Sequence, residues 1–244
     1  MKSLIDCTGG GAILKLAGAD SFHPPDPPDQ RMLHGYAARL AGITGDAELL
    51  RLQIPYELAH AVEENALPQV ARFTVFHPGP TAGEGICKLA IAPGECPDAQ
   101  AEVFLNRVIE RLTRSIPAMS NAKVVEKSPR ILPRDGLRLR GQSVLTETDV
   151  IQGRQHSGEA VHAWWPMEKW DVQAGPSYAW PPAGRHYDIT AAMLQSEAIE
   201  NLFAAGACLS ATASAAASSR ASGICLATGD LAGRMATEAL ERRC

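Results

Sequence analysis

The sequence predicts a mixed fold of helices and strands, of the α/β or α+β class. A short apolar strand from Lys2 to Asp6 runs through a glycine turn into a helix. A long amphipathic helix follows in the middle of the chain, among strand-like segments separated by Pro- and Gly-rich loops. Near the C-terminus a buried-type strand leads into a helix of small residues. The 244 residues suffice for one large domain or two small ones.

Composition and charge narrow the choice of partners. The chain carries 23 basic and 27 acidic residues, so its net charge of −4 gives no electrostatic reason to expect nucleic acid or an anionic membrane. No apolar run approaches the roughly 18 residues that a membrane span needs. Asp6 interrupts what would be the apolar stretch of a signal peptide, so we expect a cytoplasmic protein. The six cysteines are scattered without a C-x-x-C pair, which predicts reduced structural thiols and no metal site.

The N-terminal half is divided by glycine and proline. Residues 7–11 predict a tight turn, which lets backbone amides approach a ligand before a helix over Ala12 to Ala17. Residues 22–30 contain four prolines, which exclude a helix or a central strand and predict a loop. Further on, the spacing of apolar residues predicts helices over 31–41 and 56–66 and strands over 72–76 and 86–92.

The clearest helix starts at the cap Pro97-Asp98. Its apolar stripe comprises Ala101, Phe104, Leu105, Val108, Ile109 and Leu112. Strands are predicted over 122–127 and 143–147. Residues 164–187 are rich in Trp, Pro, Gly and Tyr, and they predict a long irregular segment of the kind that is often functional.

The last fifty or so residues change character. Residues 201–206 predict a short buried strand that ends at a glycine, and 210–219 are almost wholly Ala, Ser and Thr. A helix of small residues is predicted from Ser222 to about Arg242. Small side chains there indicate that something large packs against the backbone, and the helix start offers free amides and a positive dipole end.

Several segments, in order along the chain, carry motifs of one family. They are Ile5-Asp6-Cys7-Thr8-Gly9, Phe73-Thr74-Val75-Phe76-His77 with Gly83 to Leu89, Arg138-Leu139-Arg140-Gly141 with Leu145 to Asp149, Trp165-Pro166-Met167-Glu168-Lys169-Trp170, His186-Tyr187-Asp188-Ile189, Asn201 to Ser210, and Arg220 to Cys225. Together they resemble bacterial FAD-dependent oxidoreductases whose flavin domain is related to that of the succinate dehydrogenase and fumarate reductase flavoproteins. Cys7, Thr190 and Ala207 depart from the family pattern, where alanine, proline and arginine are usual.

The resemblance implies FAD as cofactor and an incomplete FAD/NAD(P)-binding Rossmann-like domain beside a substrate domain of sheet and helices. Residues 1–20 and 200–244 would belong to the flavin domain, and 21–199 to the substrate or cap domain. The G-x-G-x-x-G segment that holds the FAD pyrophosphate in this family is not present in the sequence. The residues implied to bind FAD are Thr8, Gly9, Gly10, Gly206, Cys208, Arg220, Ser222, Gly223 and Ile224.

Five residues are candidates for catalysis, and each has a structural alternative. Arg220 is expected to contact flavin or substrate, or to form a structural ion pair. Arg138 suits a substrate carboxylate or carbonyl, although Arg140 competes for that role and a solvated strand-edge arginine is the alternative. Glu168, among tryptophans, is a candidate base or a turn cap. His77 and Tyr187 are weaker candidates for a base or donor.

Three functions follow from these observations. The first is an FAD-dependent oxidoreductase that transfers hydride from a small organic substrate to flavin, with this chain supplying the substrate side and the flavin-ring side. The second is one subunit of a split enzyme that docks onto a separate N-terminal FAD-binding polypeptide. An upstream reading frame that encodes G-x-G-x-x-G would support this function. The third is a non-catalytic remnant or binding module. The sequence is compatible with an oligomer.

Overall fold

The computed structural model describes residues 3–27, 31–94 and 98–241. Lys2, Pro97 and Arg242, which bound predicted elements, lie outside these residues, as do Cys96 and Cys244. The chain divides into two compact units. Unit 1 is formed by the described parts of 1–31, 135–169 and 177–244, and unit 2 by 32–134 and 170–176.

Helices and strands both occur throughout, which confirms the predicted mixed fold. The strands are β1 (Leu4–Asp6), β2 (Phe22–His23), β3 (His34–Ala41), β4 (Val75–Pro78), β5 (Glu84–Ile91), β6 (Lys123–Lys127), β7 (Arg138–Leu139), β8 (Ala160–Ala163), β9 (Met167–Asp171), β10 (Gly175–Ala179), β11 (Tyr187–Thr190) and β12 (Leu202–Ala204). The helices are α1 (Ala12–Ala17), α2 (Ala47–Glu63), α3 (Asp98–Ser115), α4 (Glu147–Gln152), α5 (Ala213–Ser219) and α6 (Ser222–Glu241).

Unit 2 is an antiparallel sheet packed against two helices. Its strands lie in the order β4-β5-β3-β6, and β3 pairs with β5 along its whole length. Alternate residues of β3 and β5 point into the core, where they meet the apolar faces of α2 and α3. Ala101, Leu105, Val108 and Leu112 of the predicted stripe are buried, so the prediction of α3 is confirmed.

Three elements of unit 2 differ from the prediction. The strand predicted over 72–76 is β4, which starts at Val75 because Gln69–Phe73 form a 3-10 helix. Residues 31–41 contain the strand β3 rather than the predicted helix. Its buried residues Tyr36, Ala38 and Leu40 alternate, but alanines on both faces of the strand hide this alternation in the sequence. The helix predicted over 56–66 is α2, which begins earlier and continues through Pro55. Burial of Leu50, Ile54 and Leu58 outweighs the hydrogen bond that the proline removes.

Unit 1 is built from small sheets, and β1, β8 and β12 pack against α6. The strands β1 and β12 pair in parallel, while β8 and β11 pair antiparallel, as do β2 and β7. The strands β9 and β10 also pair, and their residues within 170–176 are counted with unit 2. The core joins apolar residues of β8, β11 and β12 to Ile224, Leu231 and Ala232 of α6. The predicted strand–turn–helix at the N-terminus and the helix from Ser222 are both confirmed.

Two predictions in unit 1 are wrong. The predicted strand over 143–147 is not formed: Leu145 makes an isolated β-bridge with Ala211, and α4 begins at Glu147 after a capping box between Thr146 and Asp149. The segment 164–187, predicted to be irregular, contains the strands β9 and β10. Within the part of the chain that the structure describes, no helix is both long enough and apolar enough to cross a membrane.

Candidate active site

A cavity of about 760 Å³ lies in unit 1 beside the start of α6. This volume falls in the range of sites for cofactors and drug-sized ligands. Its walls come from β8, from the segment that follows β8, and from the residues between α5 and α6. The predicted site residues among its lining are Glu168, Arg220, Ser222, Gly223 and Ile224, and the lining also includes His162, Trp164 and Trp165.

The start of α6 presents backbone donors to this cavity. The hydrogen bond from Cys225 N to Ala221 O is the first of the helical ladder, at 2.9 Å. The amides of Ser222, Gly223 and Ile224 therefore precede the ladder, and they stand at the positive end of a 20-residue helix. Ser222 and Gly223 are exposed, which leaves room for a ligand against the backbone.

Arg220 places a cation on the same wall. Its Nη2 donates to the backbone oxygen of Glu168 at 2.8 Å. Its Nε is buried, and among the described residues it finds no hydrogen-bond partner. Burial lowers the pKa of Arg220, while the carboxylates of Glu168 and Asp135 oppose that effect. The guanidinium stays charged, so the side chain offers an unused donor and positive charge to a ligand.

Two tryptophans also line the cavity. Trp164 and Trp165 both line it, and both rings are about half exposed. The backbone of Trp165 is fixed because its oxygen accepts a hydrogen bond from Ser218 Oγ at 2.5 Å. Flat, exposed rings beside a positive helix end suit a planar anionic ligand.

Tyr187 is the buried neighbour of this wall and is not among the residues that line the cavity. Its hydroxyl contacts Ser218 Oγ, which in turn donates to Trp165 O. Burial raises the pKa of Tyr187 to about 12, although the contact with Ser218 opposes this. The phenol is therefore protonated at neutral pH, and it supports the backbone of Trp165.

The turn after β1 is organised by the carboxylate of Asp6, which is fully buried. Oδ1 accepts hydrogen bonds from Thr8 N at 2.9 Å and from Thr8 Oγ1 at 2.7 Å. Oδ2 accepts from Ile13 N and Leu14 N, both at 2.9 Å, at the start of α1. Burial alone would raise the pKa of Asp6, but these hydrogen bonds outweigh it and hold the pKa below its usual value.

The other predicted FAD-binding residues gather around this turn rather than in the cavity. Thr8, Gly9 and Gly10 are exposed, and the amide of Gly9 faces the thiol of Cys208. Cys208 itself is buried, and burial raises its pKa to about 12. Gly206 has φ 63°, and a Cβ there would lie 3.0 Å from Cys225 Sγ. Because Cys225 follows Ile224 directly, the first turn of α6 connects the two groups of predicted residues.

The remaining two candidates lie elsewhere. Arg138 on β7 is 7% exposed, and its guanidinium donates to the backbone oxygens of Ala211 and Pro24. Its donors are thus used to hold loops of unit 1. His77 belongs to β4 in unit 2, where burial and then the charges of Lys88 and Arg51 lower its pKa.

The sequence prediction missed a cluster of two histidines and an aspartate. The pairing of β8 with β11 sets His162 opposite Asp188, and His162 Nδ1 lies 2.7 Å from Asp188 Oδ1. His186 Nε2 lies 3.4 Å from the same oxygen. Asp188 belongs to the family motif His186-Tyr187-Asp188-Ile189, but only the strand register brings it to His162, and a single sequence gives no signal for that register.

Comparison with known proteins bears on the same residues. A model of the family described as FAD dependent oxidoreductase matches residues 2–244, which is nearly the whole chain. Neither the curated proteins nor the solved structures gave a match. The match includes every residue of the cavity and of the turn after β1. The chain belongs to the FAD dependent oxidoreductase family, and its cofactor is FAD.

Proposed function

We propose that this chain serves an FAD-dependent dehydrogenase, in which the cavity beside α6 holds the flavin ring and a small organic substrate. The observation that carries the proposal is that the amides of Ser222 to Ile224 precede the helical hydrogen bonds of α6. Beside them lies the Nε of Arg220, which has no hydrogen-bond partner in the described part of the chain. Both offer positive potential to one cavity of suitable size. FAD, when bound, supplies the acceptor for a hydride, and its ring gains negative charge.

The helix start is suited to that negative charge. A helix of this length carries about half a positive charge at its N-terminus, and a nearby anion gains about 0.3–1 kcal/mol, or about 2 in a buried setting. Gly223 has open space where a Cβ would stand, so a ring can lie close to the backbone. The amides of Ser222 to Ile224 would then hold the ring and stabilise its charge without rearrangement.

Glu168 and the tryptophans are assigned to the substrate side. Glu168 lines the cavity, and its carboxylate interacts electrostatically with Arg220. In the proposed reaction Glu168 accepts the substrate proton, while Trp164 and Trp165 restrict water and position an apolar part of the substrate. The alternative for Glu168 is a structural charge partner of Arg220, and Glu168→Gln distinguishes the two by its effect on turnover rather than on FAD binding.

The test is a measurement of FAD binding, monitored by the quenching of flavin fluorescence. Arg220→Gln removes one charged donor and should weaken binding by about tenfold to 100-fold, the equivalent of about 1.4–2.8 kcal/mol. Arg234→Gln is the matched control, because Arg234 lies on the same helix but is exposed and pairs with Glu159 and Asp230. Equal affinity for Arg220→Gln and wild type would refute the proposed site.

A second candidate is the split enzyme, favoured by the edge of the β1–β12 pair. Parallel sheets are usually covered on both faces, yet this pair has two strands among the described residues, and Leu4 on β1 is 55% exposed. Leu226 on α6 is also exposed, at 76%. A separate FAD-binding polypeptide that adds a strand to β1 would cover such surface.

The visible spectrum separates these functions. The chain is purified alone and together with the product of any adjoining reading frame that encodes G-x-G-x-x-G. Flavin absorbance only in the presence of that product supports the split enzyme, and stoichiometric FAD on the chain alone refutes it. Protein that stays colourless in both preparations supports the third function, a non-catalytic binding module.

A further inference from the structure

The cluster of His162, His186 and Asp188 brings three ligand-type side chains together in unit 1. One ligand atom from each lies within 4.8 Å of the others. The arrangement follows from backbone pairing, since Asp188 stands directly opposite His162 in the β8–β11 ladder. It is thus fixed by the fold rather than by chance contact of flexible surface groups.

The carboxylate at the centre is buried and held from both sides. Asp188 is 1% exposed, and its Oδ2 accepts a hydrogen bond from the backbone N of His156 at 2.7 Å. The backbone N of Asp188 donates to Arg154 O at 2.9 Å. These bonds leave Oδ1 directed at the two imidazoles, which an ordinary cluster of exposed acids would not show.

The rings are oriented as well. The centroids of His162 and His186 are 4.4 Å apart, and Trp164 packs on His186 with centroids 5.3 Å apart. His186 is partly buried, so the tryptophan limits its rotation. Preorganised imidazoles bind a metal ion with less loss of conformational entropy than free ones.

We propose that His162, His186 and Asp188 bind a divalent transition-metal ion such as Zn²⁺, Mn²⁺ or Fe²⁺. Two imidazoles with one carboxylate form a mixed nitrogen and oxygen set, which these ions accept and which Ca²⁺ and Mg²⁺ do not favour. Three protein ligands leave at least one coordination position open, as in catalytic rather than structural sites.

The three ligand atoms lie within 4.8 Å of one another, so the side chains must shift to bring all of them to one ion. Ligands at about 2.0–2.2 Å from an ion lie roughly 3–3.5 Å from one another. The 3.4 Å separation of His186 Nε2 from Asp188 Oδ1 already matches. The 2.7 Å separation of His162 Nδ1 from that oxygen must open slightly. The side chain of His162 is 57% exposed, so it can make this shift without disturbing the core.

The site adjoins the cavity, because His162 also lines it. An ion at this position has its open coordination site available to an oxygen-bearing ligand such as a carbonyl or carboxylate group. The metal site itself does not depend on the function proposed for the cavity, and metal binding can be measured without FAD or substrate.

The experiment is titration of the full chain with Co²⁺, after removal of bound metal by a chelator and without a histidine tag. We expect saturation at one ion per chain, seen in the visible d–d absorption, and displacement by Zn²⁺. His162→Ala and His186→Ala should each weaken binding by about 100-fold, since loss of even an outer partner of a ligand costs about 10- to 100-fold.

Two controls keep the result interpretable. His156→Ala retains the backbone donor to Asp188, so its Co²⁺ affinity should equal that of wild type. Far-UV circular dichroism checks that each variant is folded. The substitution His162→Ala should affect folding least, because the side chain of His162 is exposed. Asp188→Asn keeps the shape of the side chain and should weaken binding as the histidine variants do.

Three outcomes would overturn the proposal. One is the absence of saturable binding at one Co²⁺ per folded wild-type chain. Another is unchanged affinity in both His162→Ala and His186→Ala, which would place the ion elsewhere. The third is an intense sulfur-to-cobalt charge-transfer band, which would assign the ion to cysteine thiolates instead.

Discussion

The substitution Asp6→Asn tests whether one buried carboxylate holds the turn that leads from β1 to α1. Asp6 accepts four hydrogen bonds, two at each oxygen. Asparagine has a single acceptor oxygen. If that oxygen keeps Ile13 N and Leu14 N, the amide NH₂ faces Thr8, whose hydroxyl can turn to accept but whose backbone N–H cannot.

The expected cost is about 3–5 kcal/mol. Two charge-assisted hydrogen bonds become neutral, at about 1 kcal/mol each, and one donor loses its partner, at about 1–3 kcal/mol, in terms that are not strictly additive. This is a large part of the roughly 5–15 kcal/mol that stabilises a typical domain. Urea unfolding followed by tryptophan fluorescence measures the loss, and hydrogen exchange at the amides of Ile13 and Leu14 locates it.

Asp171→Asn is the matched control for this prediction. The carboxylate of Asp171 also accepts two backbone hydrogen bonds, from Gln173 N and Ala174 N, but it is exposed. Water can replace the lost oxygen there, so the free energy of unfolding should change much less. Equal losses for the two variants, or a loss below about 1 kcal/mol for Asp6→Asn, would refute the reasoning.

Three further predictions concern acid, a helix cap and a glycine. Hydrogen bonds hold the pKa of Asp6 in the folded protein below the usual 3.8. The contribution of Asp6 to the free energy of unfolding is therefore complete above about pH 4 and is lost as the pH falls through the folded pKa. In urea titrations, the difference in unfolding free energy between wild type and Asp6→Asn should narrow below about pH 4. Thr146→Ala removes the capping box with Asp149 and should lower the free energy of unfolding by about 1 kcal/mol in the same assay. Gly206→Ala forces a side chain into φ 63° and towards Cys225 Sγ, so it should destabilise unit 1 by about 1–2 kcal/mol in thermal unfolding, whereas Gly229→Ala, at an open helical position, should not.

Local patterns were sufficient to predict α3 of unit 2 and α6 of unit 1. The apolar stripe of α3 and the small residues of α6 repeat at helical spacing, and each helix is where the sequence predicts it. The amphipathic signal fails where both faces carry alanine, as in β3. It also fails at Thr146, where a T-x-x-D capping signal was present but the apolar residues around it were interpreted as a strand.

In the candidate site too, the sequence predicted residues that are close along the chain but missed a contact between distant segments. Glu168, Arg220 and the residues Ser222 to Ile224 meet in one cavity, because most of them belong to a single helix start and its approach. Their roles towards FAD stay predictions. The partnership of His162 with Asp188 spans 26 residues and depends on strand register, which long-range pairing decides and local propensity does not.

The topology of unit 1 supports the proposal that the two groups of predicted FAD-binding residues serve one ligand site. In parallel sheets, ligands bind outside the carboxyl ends of the strands. The carboxyl end of β1 leads into the turn at Thr8, and the carboxyl end of β12 leads to Gly206, so both lie at the same edge. Gly206 N donates to Thr228 Oγ1 of α6 at 3.0 Å, which ties that edge to the helix whose first turn lines the cavity. An extended cofactor that contacts the turn can therefore reach the start of α6 without crossing the core, and substitutions at Gly206 should weaken FAD binding as well as stability.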